Sequence, residues 1–197
     1  IICAAMETDF RKRRISLAED FRPGQHFGHF TIRAGRINLD KDLMFRDEPL
    51  RMLQIFHLAL EQNADIHPQA LQRIIRGLPW LGEATRRDPE AAAEFLGILT
   101  SRRNPERVLR LMNESGVLGR FLPDFGKIVA MMQFDMYHSY TVDEHTIKVI
   151  GVLHDIGTGG LAETAPVATS VMPEIESRLV LFVAALLHDI AKGRDGD

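Results

Sequence analysis

Prolines partition this chain. Inside a helix a proline removes a backbone hydrogen bond and clashes with the preceding turn, but at a helix start it presets φ at no cost. Of the nine prolines, six head segments whose apolar residues recur at helical spacing. Pro49 opens a stretch through Leu50, Leu53, Phe56, Leu58 and Leu60. Pro68 begins another, through Leu71, Ile74 and Ile75 to Gly77, and Pro89 a third, through Ala92, Phe95, Leu96 and Leu99. Asn104-Pro105-Glu106 combines an Asn cap with Pro and predicts a helix through Val108, Leu109, Leu111 and Met112, ending before Gly116. Pro123 leads a helix through Ile128, Val129 and Met132. Pro173-Glu174 leads the last, with Ile175, Leu179, Phe182, Val183, Leu186 and Leu187 on an apolar stripe, closing around Gly193.

Two segments read differently. Phe27 to Leu39 alternates in places and carries Gly35 between Ile32 and Ile37, which predicts a short β-hairpin. Residues 157–173 are rich in Gly, Ala, Thr and Pro and read as a loop. Between them Thr141-Val142-Asp143-Glu144 has the form of a capping box and opens a helix carrying His145, Val149 and Leu153 at i+4 steps. The predicted fold is mostly all-α. Residues 1–48 are a poorly patterned lead-in holding the hairpin, 49–125 a helical region, and 126–197 a second helical unit.

Composition narrows the function classes. Twenty-four basic against 27 acidic residues leave a net charge of −3, so no overall pull toward nucleic acid or anionic membrane is expected. The basic run Arg11-Lys12-Arg13-Arg14 lacks interleaved aromatics and reads as a solvated stretch. No apolar run approaches the roughly 20 residues of a membrane span. The lone Cys3 forms no internal disulfide and suits a reducing cytosol. The chain opens on Ile1 rather than Met and stops after Asp197, and it reads as a piece of something longer.

Four of the eight histidines fall between positions 138 and 188. His188 and Asp189 are adjacent at the end of an apolar helix, where an imidazole and a carboxylate are costly unless paired or bound to a metal. Divalent metals accept both donor types. Neighbours on a helix point about 100° apart, so both reach one ion only if the helix end is distorted. His145, on a different helix, is the candidate third ligand. His154-Asp155 is a competing doublet. His145 and His154 are nine residues apart on one helix, about 13 Å along the axis and on opposite faces. They cannot share an ion unless the helix breaks between them, so His154-Asp155 reads as a helix-end pair favoured by the dipole. Spacing alone leaves a metal site and a set of satisfied core histidines level.

The segment MQFDMYHSYTVDEHT (132–146), followed by LHDIAKGR (187–194), resembles the HD domain of the bacterial PII uridylyltransferase/uridylyl-removing enzymes. RVLRLMN (107–113) and GVLGRFLPDF (116–125) are similar to the same family, and residues 28–99 are collinear with its central helical region. The resemblance implies a cytoplasmic nitrogen-sensing enzyme. In that family a nucleotidyltransferase domain attaches UMP to a tyrosine of the PII signal protein, and the HD domain hydrolyses the link. ACT domains sense glutamine. This chain carries no Gly-Ser plus paired-aspartate transferase motif and leaves no room after Asp197 for ACT domains, so neither transfer nor glutamine sensing is expected of it.

The resemblance further implies that His145, His188 and Asp189 hold a divalent metal, Mg²⁺ or Mn²⁺, with a further Asp ligand beyond Asp197. The truncated 126–197 region would then be a metal-dependent phosphodiester hydrolase, incomplete in this piece. Lys192 and Arg194 would neutralise phosphate charge, or act as plain helix-end cations. His138 would orient a ligand, contact substrate or serve structure. Alternative readings are an HD phosphohydrolase acting on a nucleotide or ppGpp-like substrate, and a non-catalytic helical scaffold docking PII.

Overall fold

A computed structural model describes residues 24–41, 43–132 and 141–193. Cys3, the basic run at 11–14, His138 and Arg194 lie outside the described residues. The fold is mostly helical, with one small sheet beside the helices. No helix among the described residues is long and apolar enough to cross a membrane.

The hairpin forms where alternation predicts it. Strands β1 (Gln25–Phe27), β2 (Phe30–Arg33) and β3 (Arg36–Leu39) pair antiparallel in order. In the β2–β3 turn, Ala34 and Gly35 both take positive φ (48° and 71°), the hand that matches strand twist in a two-residue loop. β4 (Asp65–Ile66) adds parallel to β3 after helix α1 (Arg51–Glu61), a crossover the alternation pattern did not reveal. Phe30 and Ile37 turn inward onto the helices.

Three proline-led helices match their expected spans closely: α1, α2 (Pro68–Gly77) and α4 (Pro89–Leu99), with the single turn α3 (Glu83–Arg86) between the last two. α5 (Glu106–Glu114) starts one residue later than Pro105, yet Asn104 still caps it, its Oδ1 accepting from the Glu106 N–H at 2.9 Å. α1 buries Met52, Leu53, Ile55, Phe56, Ala59 and Leu60. Buried residues from Phe30 to Leu186 join one continuous cluster.

The second half departs from the pattern in three places. The helix after Pro123 is only α7 (Pro123–Gly126), preceded by α6 (Val117–Phe121). A turn with Ala130 at φ 57° follows, and Met132 pairs with Thr141 in an isolated bridge. Thr141 does begin helix α8 (Val142–Gly157), but its side chain makes no capping bond. Glu144 is drawn to the Arg110 guanidinium instead, a charged partner worth more than a backbone N–H. The stretch 157–173 is not all loop: Pro166 starts α9 (Pro166–Val171) and Met172–Glu174 form a 3₁₀ turn.

The last helix, α10 (Arg178–Leu187), therefore begins at Ser177 rather than Pro173. Ile175 is extended, and the Ser177 hydroxyl accepts from the Val180 N–H at 3.3 Å. Phe182 and Leu186 are buried, but Leu179 and Leu187 are exposed, so the apolar stripe is narrower than the sequence suggests.

α6 and α7 meet through glycine. A Cβ on Gly119 would lie 2.9 Å from the Cα of Gly126, and backbone cannot yield as a flexible side chain does. Gly119→Ala is expected to cost about 1–3 kcal/mol through overpacking. A urea titration checks this, and an unchanged midpoint would contradict the packing.

Candidate metal centre

α8 and α10 together assemble the histidines. His145 lies in the first turn of α8, which packs against α10. His188 is the C-terminal cap of α10, still with helical dihedrals (φ −58°, ψ −34°), and Asp189 precedes a 3₁₀ turn over Ile190–Gly193. The α-helix thus stops at Leu187, and His188 and Asp189 occupy a turn before the chain tightens at Ile190. The doublet therefore lies at the interruption of the regular helix expected from the sequence. Ligand atoms of His145, His188 and Asp189 all lie within 4.8 Å of one another. The imidazoles of His145 and His188 meet edge to face, with centroids 5.7 Å apart.

His188 has one ring nitrogen engaged by its own helix. Its Nδ1 lies 2.6 Å from the Ala185 carbonyl, and a carbonyl only accepts, so Nδ1 carries the hydrogen. In the neutral ring this leaves the Nε2 lone pair available, the arrangement commonly seen behind metal-binding histidines. Nε2 is 3.4 Å from Asp189 Oδ2. Two imidazoles and a carboxylate are a donor set that divalent transition-metal ions accept.

Asp189 is 14% exposed and Lys192 39% exposed; the Lys192 ammonium donates to Asp189 Oδ2 at 2.8 Å. Burial pushes the Asp189 carboxyl upward. The Lys192 hydrogen bond and the charges of His188, Lys192 and His145 outweigh it and hold the group below its ordinary value. A depressed carboxyl stabilises the fold above its unfolded pKa of about 4 and loses that contribution as pH falls through the folded value.

His154-Asp155 is elsewhere and engaged. His154 is 7% exposed; its Nε2 lies 3.0 Å from the Arg102 carbonyl and its Nδ1 3.3 Å from Asp155 Oδ1. Asn104 Nδ2 donates to the same Asp155 oxygen at 3.1 Å. The pair bolts the end of α8 to the segment leading into α5. Among the described residues, His145, His188 and Asp189 are the group of three or more histidine, cysteine and acid side chains whose donor atoms lie close enough to share an ion.

Several polar groups around α8 escaped the sequence pattern. Asp143 is buried, accepting from Asn113 Nδ2 at 2.6 Å and from the Ala130 N–H at 3.2 Å. Glu106, Arg110, Glu144 and Lys148 form an ionic chain between α5 and α8. A cleft of about 490 Å³ beside it is lined by Arg103, Arg107 and Arg110. The sole sequence signal for these contacts is the acidic first turn of α8, which also fits a simple dipole preference.

Residues 30–121 match the family model described as "Uridylyltransferase GlnD third domain". Over its whole length the chain is 49% identical to a bifunctional uridylyltransferase/uridylyl-removing enzyme of Azospirillum brasilense. It is 46% and 44% identical, again end to end, to enzymes of the same description from Rhodospirillum rubrum and Novosphingobium aromaticivorans. The chain spans 21–22% of the length of these relatives.

Two variants separate the histidines by stability. His154→Ala strands the Arg102 carbonyl and opens a buried site, and is expected to cost about 1–3 kcal/mol. His188→Ala, at a more exposed helix end, is expected to stay within about 0.5 kcal/mol of wild type. Chemical denaturation of both checks this, and equal losses would contradict the contrast. In Asp189→Asn, the decline in urea midpoint between about pH 6 and pH 3 is expected to be shallower than in wild type.

Proposed function

Because the chain belongs to the bifunctional uridylyltransferase/uridylyl-removing enzyme family, we propose that its 126–197 region supplies the uridylyl-removing chemistry. The reaction is hydrolysis of the phosphodiester between UMP and a tyrosine of the PII signal protein. The observation that carries this reading is the approach of His145 to the His188–Asp189 doublet from two separate helices.

In this reading the imidazole nitrogens of His145 and His188 and the Asp189 carboxylate hold a divalent metal, Mg²⁺ or Mn²⁺. When bound, such an ion polarises a phosphoryl oxygen and lowers the pKa of a water. The chain's own residues do the rest. The Ala185 carbonyl keeps the hydrogen of His188 on Nδ1, so Nε2 remains a donor of electrons rather than of a proton. Lys192, held on Asp189 yet open to solvent, offers its remaining N–H groups to the substrate phosphate. Arg194 follows two residues later and is assigned the same task, and His138 is assigned to ligand orientation or substrate contact. Water attacks phosphorus, the bond from phosphorus to the tyrosine oxygen breaks, and UMP leaves with the tyrosine hydroxyl restored.

The test uses the longer enzyme that contains this segment. His188→Ala should abolish UMP release from uridylylated PII and leave UMP attachment intact. Lys192→Ala should lower release by about 10²–10³-fold, if it stabilises charge that develops in the transition state. Retained release in His188→Ala would sink the assignment. Hydrolysis of small nucleotides in preference to uridylylated PII would shift the substrate class. A wild-type chain that neither binds Mn²⁺ nor gains thermal stability from it would favour a scaffold without chemistry of its own.

A further inference from the structure

Asp143 precedes His145 by two residues and is 3% exposed. A buried carboxylate is tolerated when its oxygens are hydrogen-bonded, and here each oxygen reaches a different element. Oδ2 accepts from Asn113 Nδ2 of α5 at 2.6 Å, and Oδ1 accepts from the Ala130 N–H at 3.2 Å. Ala130 sits at φ 57°, a conformation that an L-residue adopts at a cost and that its surroundings must hold. The turn it belongs to also touches the end of the 3₁₀ segment that follows Asp189. A Cβ on Gly193 would lie 2.8 Å from Lys127 Cβ and 2.9 Å from Ile128 Cγ2. One carboxylate therefore joins α5 and the 127–130 turn to the helix that carries His145. Through that turn it meets the segment that follows His188 and Asp189. An acid serving only the helix dipole would gain nothing from burial or from partners on two other elements.

Resting on the reading of His145, His188 and Asp189 as metal ligands, we propose that Asp143 is a positioning residue, and that the Asn113–Asp143–Ala130 bridge sets His145 in register with the His188–Asp189 doublet. Asn113 makes this testable. Its Oδ1 is buried and has no hydrogen-bond partner among the described residues, because only its N–H₂ end can face a carboxylate. In Asp143→Asn the new carbonyl still accepts from Ala130. The new amide donates to Asn113 Oδ1 once the Asn113 side chain turns over, and the Asn113 N–H₂ then takes the place where the oxygen had no partner. Asp143→Ala makes neither contact. Asn113→Asp sets two carboxylates against each other, and the double variant Asn113→Asp with Asp143→Asn exchanges the roles and restores the bond.

Two readouts apply, each taken well below the melting temperature of the variant. One is Mn²⁺ affinity. The other, without metal, is the NMR shift of the His145 and His188 ring protons, which reports their edge-to-face contact. Asp143→Ala and Asn113→Asp should weaken Mn²⁺ binding by about 10- to 100-fold, as loss of groups that orient ligands does, and should lose the ring-contact shifts. Asp143→Asn and the exchanged pair should return both readouts close to wild type. Unchanged shifts and affinity in Asp143→Ala would overturn the proposal. So would an equal loss in Asp143→Asn, which would make charge rather than bridging geometry the determinant. If Asp143→Ala does not fold, Asn113→Asp and its exchange partner carry the same comparison. A wild-type chain that shows the ring contact without binding Mn²⁺ would defeat the metal reading, and the shifts alone would still decide the positioning claim.

Discussion

The packing of α8 against α5 governs the rest of this half of the molecule. It depends on Gly151, whose missing side chain leaves room for the Glu106 carboxylate. Glu106 holds Arg110 at 3.0 Å and draws Lys148 to 3.5 Å, and Arg110 in turn binds Glu144. Isolated surface ion pairs contribute little, but a linked set with partly buried members fixes geometry better than any single pair. With Val142, Thr146, Ile147 and Ile150 buried, α8 has one rotation about its axis that satisfies both the apolar and the ionic contacts. That rotation leaves His145 facing the end of α10.

α10 is anchored at its other end by an unusual arginine. The Arg178 guanidinium lies 4.1 Å over the Phe182 ring and donates to the carbonyls of Thr100 and Ser101. Burial moves its pKa downward, yet a guanidinium stays charged at any physiological pH. The start of α10 is thereby tied to the end of α4, its middle is buried through Phe182 and Leu186, and His188 arrives beside His145. The α-helix ends at Leu187, and His188 and Asp189 lie in the turn between it and the 3₁₀ segment over Ile190–Gly193. Adjacent residues on a regular α-helix diverge by about 100°, so the early end of this helix is part of the site's construction.

Much of this was legible in the residues. Pro68 and Pro89 mark helix starts to the residue, because a proline ring at a helix start needs no compensation from the tertiary fold. Asn104 caps as its type and position predict. The hairpin at 27–39 is visible in its alternation and in Gly35. His145 and the His188–Asp189 doublet were singled out by their position on apolar helices, although spacing alone could not separate ligands from core histidines. Other features were not legible. Thr141 and Glu144 have the spacing of a capping box, but Arg110 lies 34 residues away in sequence and competes for Glu144. The segment 157–173 has loop composition, yet α9 forms there. Asp143 stands inside the apparent capping box with no role of its own there, and its burial depends on Asn113, which no local pattern connects to it.

Local physics therefore determined where most helices begin, that a hairpin precedes them, and which side chains have the chemistry to hold a cation. Those properties depend on neighbours within a turn or two along the chain. The tertiary structure alone decided that His145 meets His188, that His154 is consumed by the Arg102 carbonyl, and that Asp143 lies inside rather than at the surface. Each of those outcomes needs two or more elements distant in sequence to pack in one relative orientation. That orientation is set by shared burial and by the ion-pair chain between α5 and α8, neither of which has a period in the sequence.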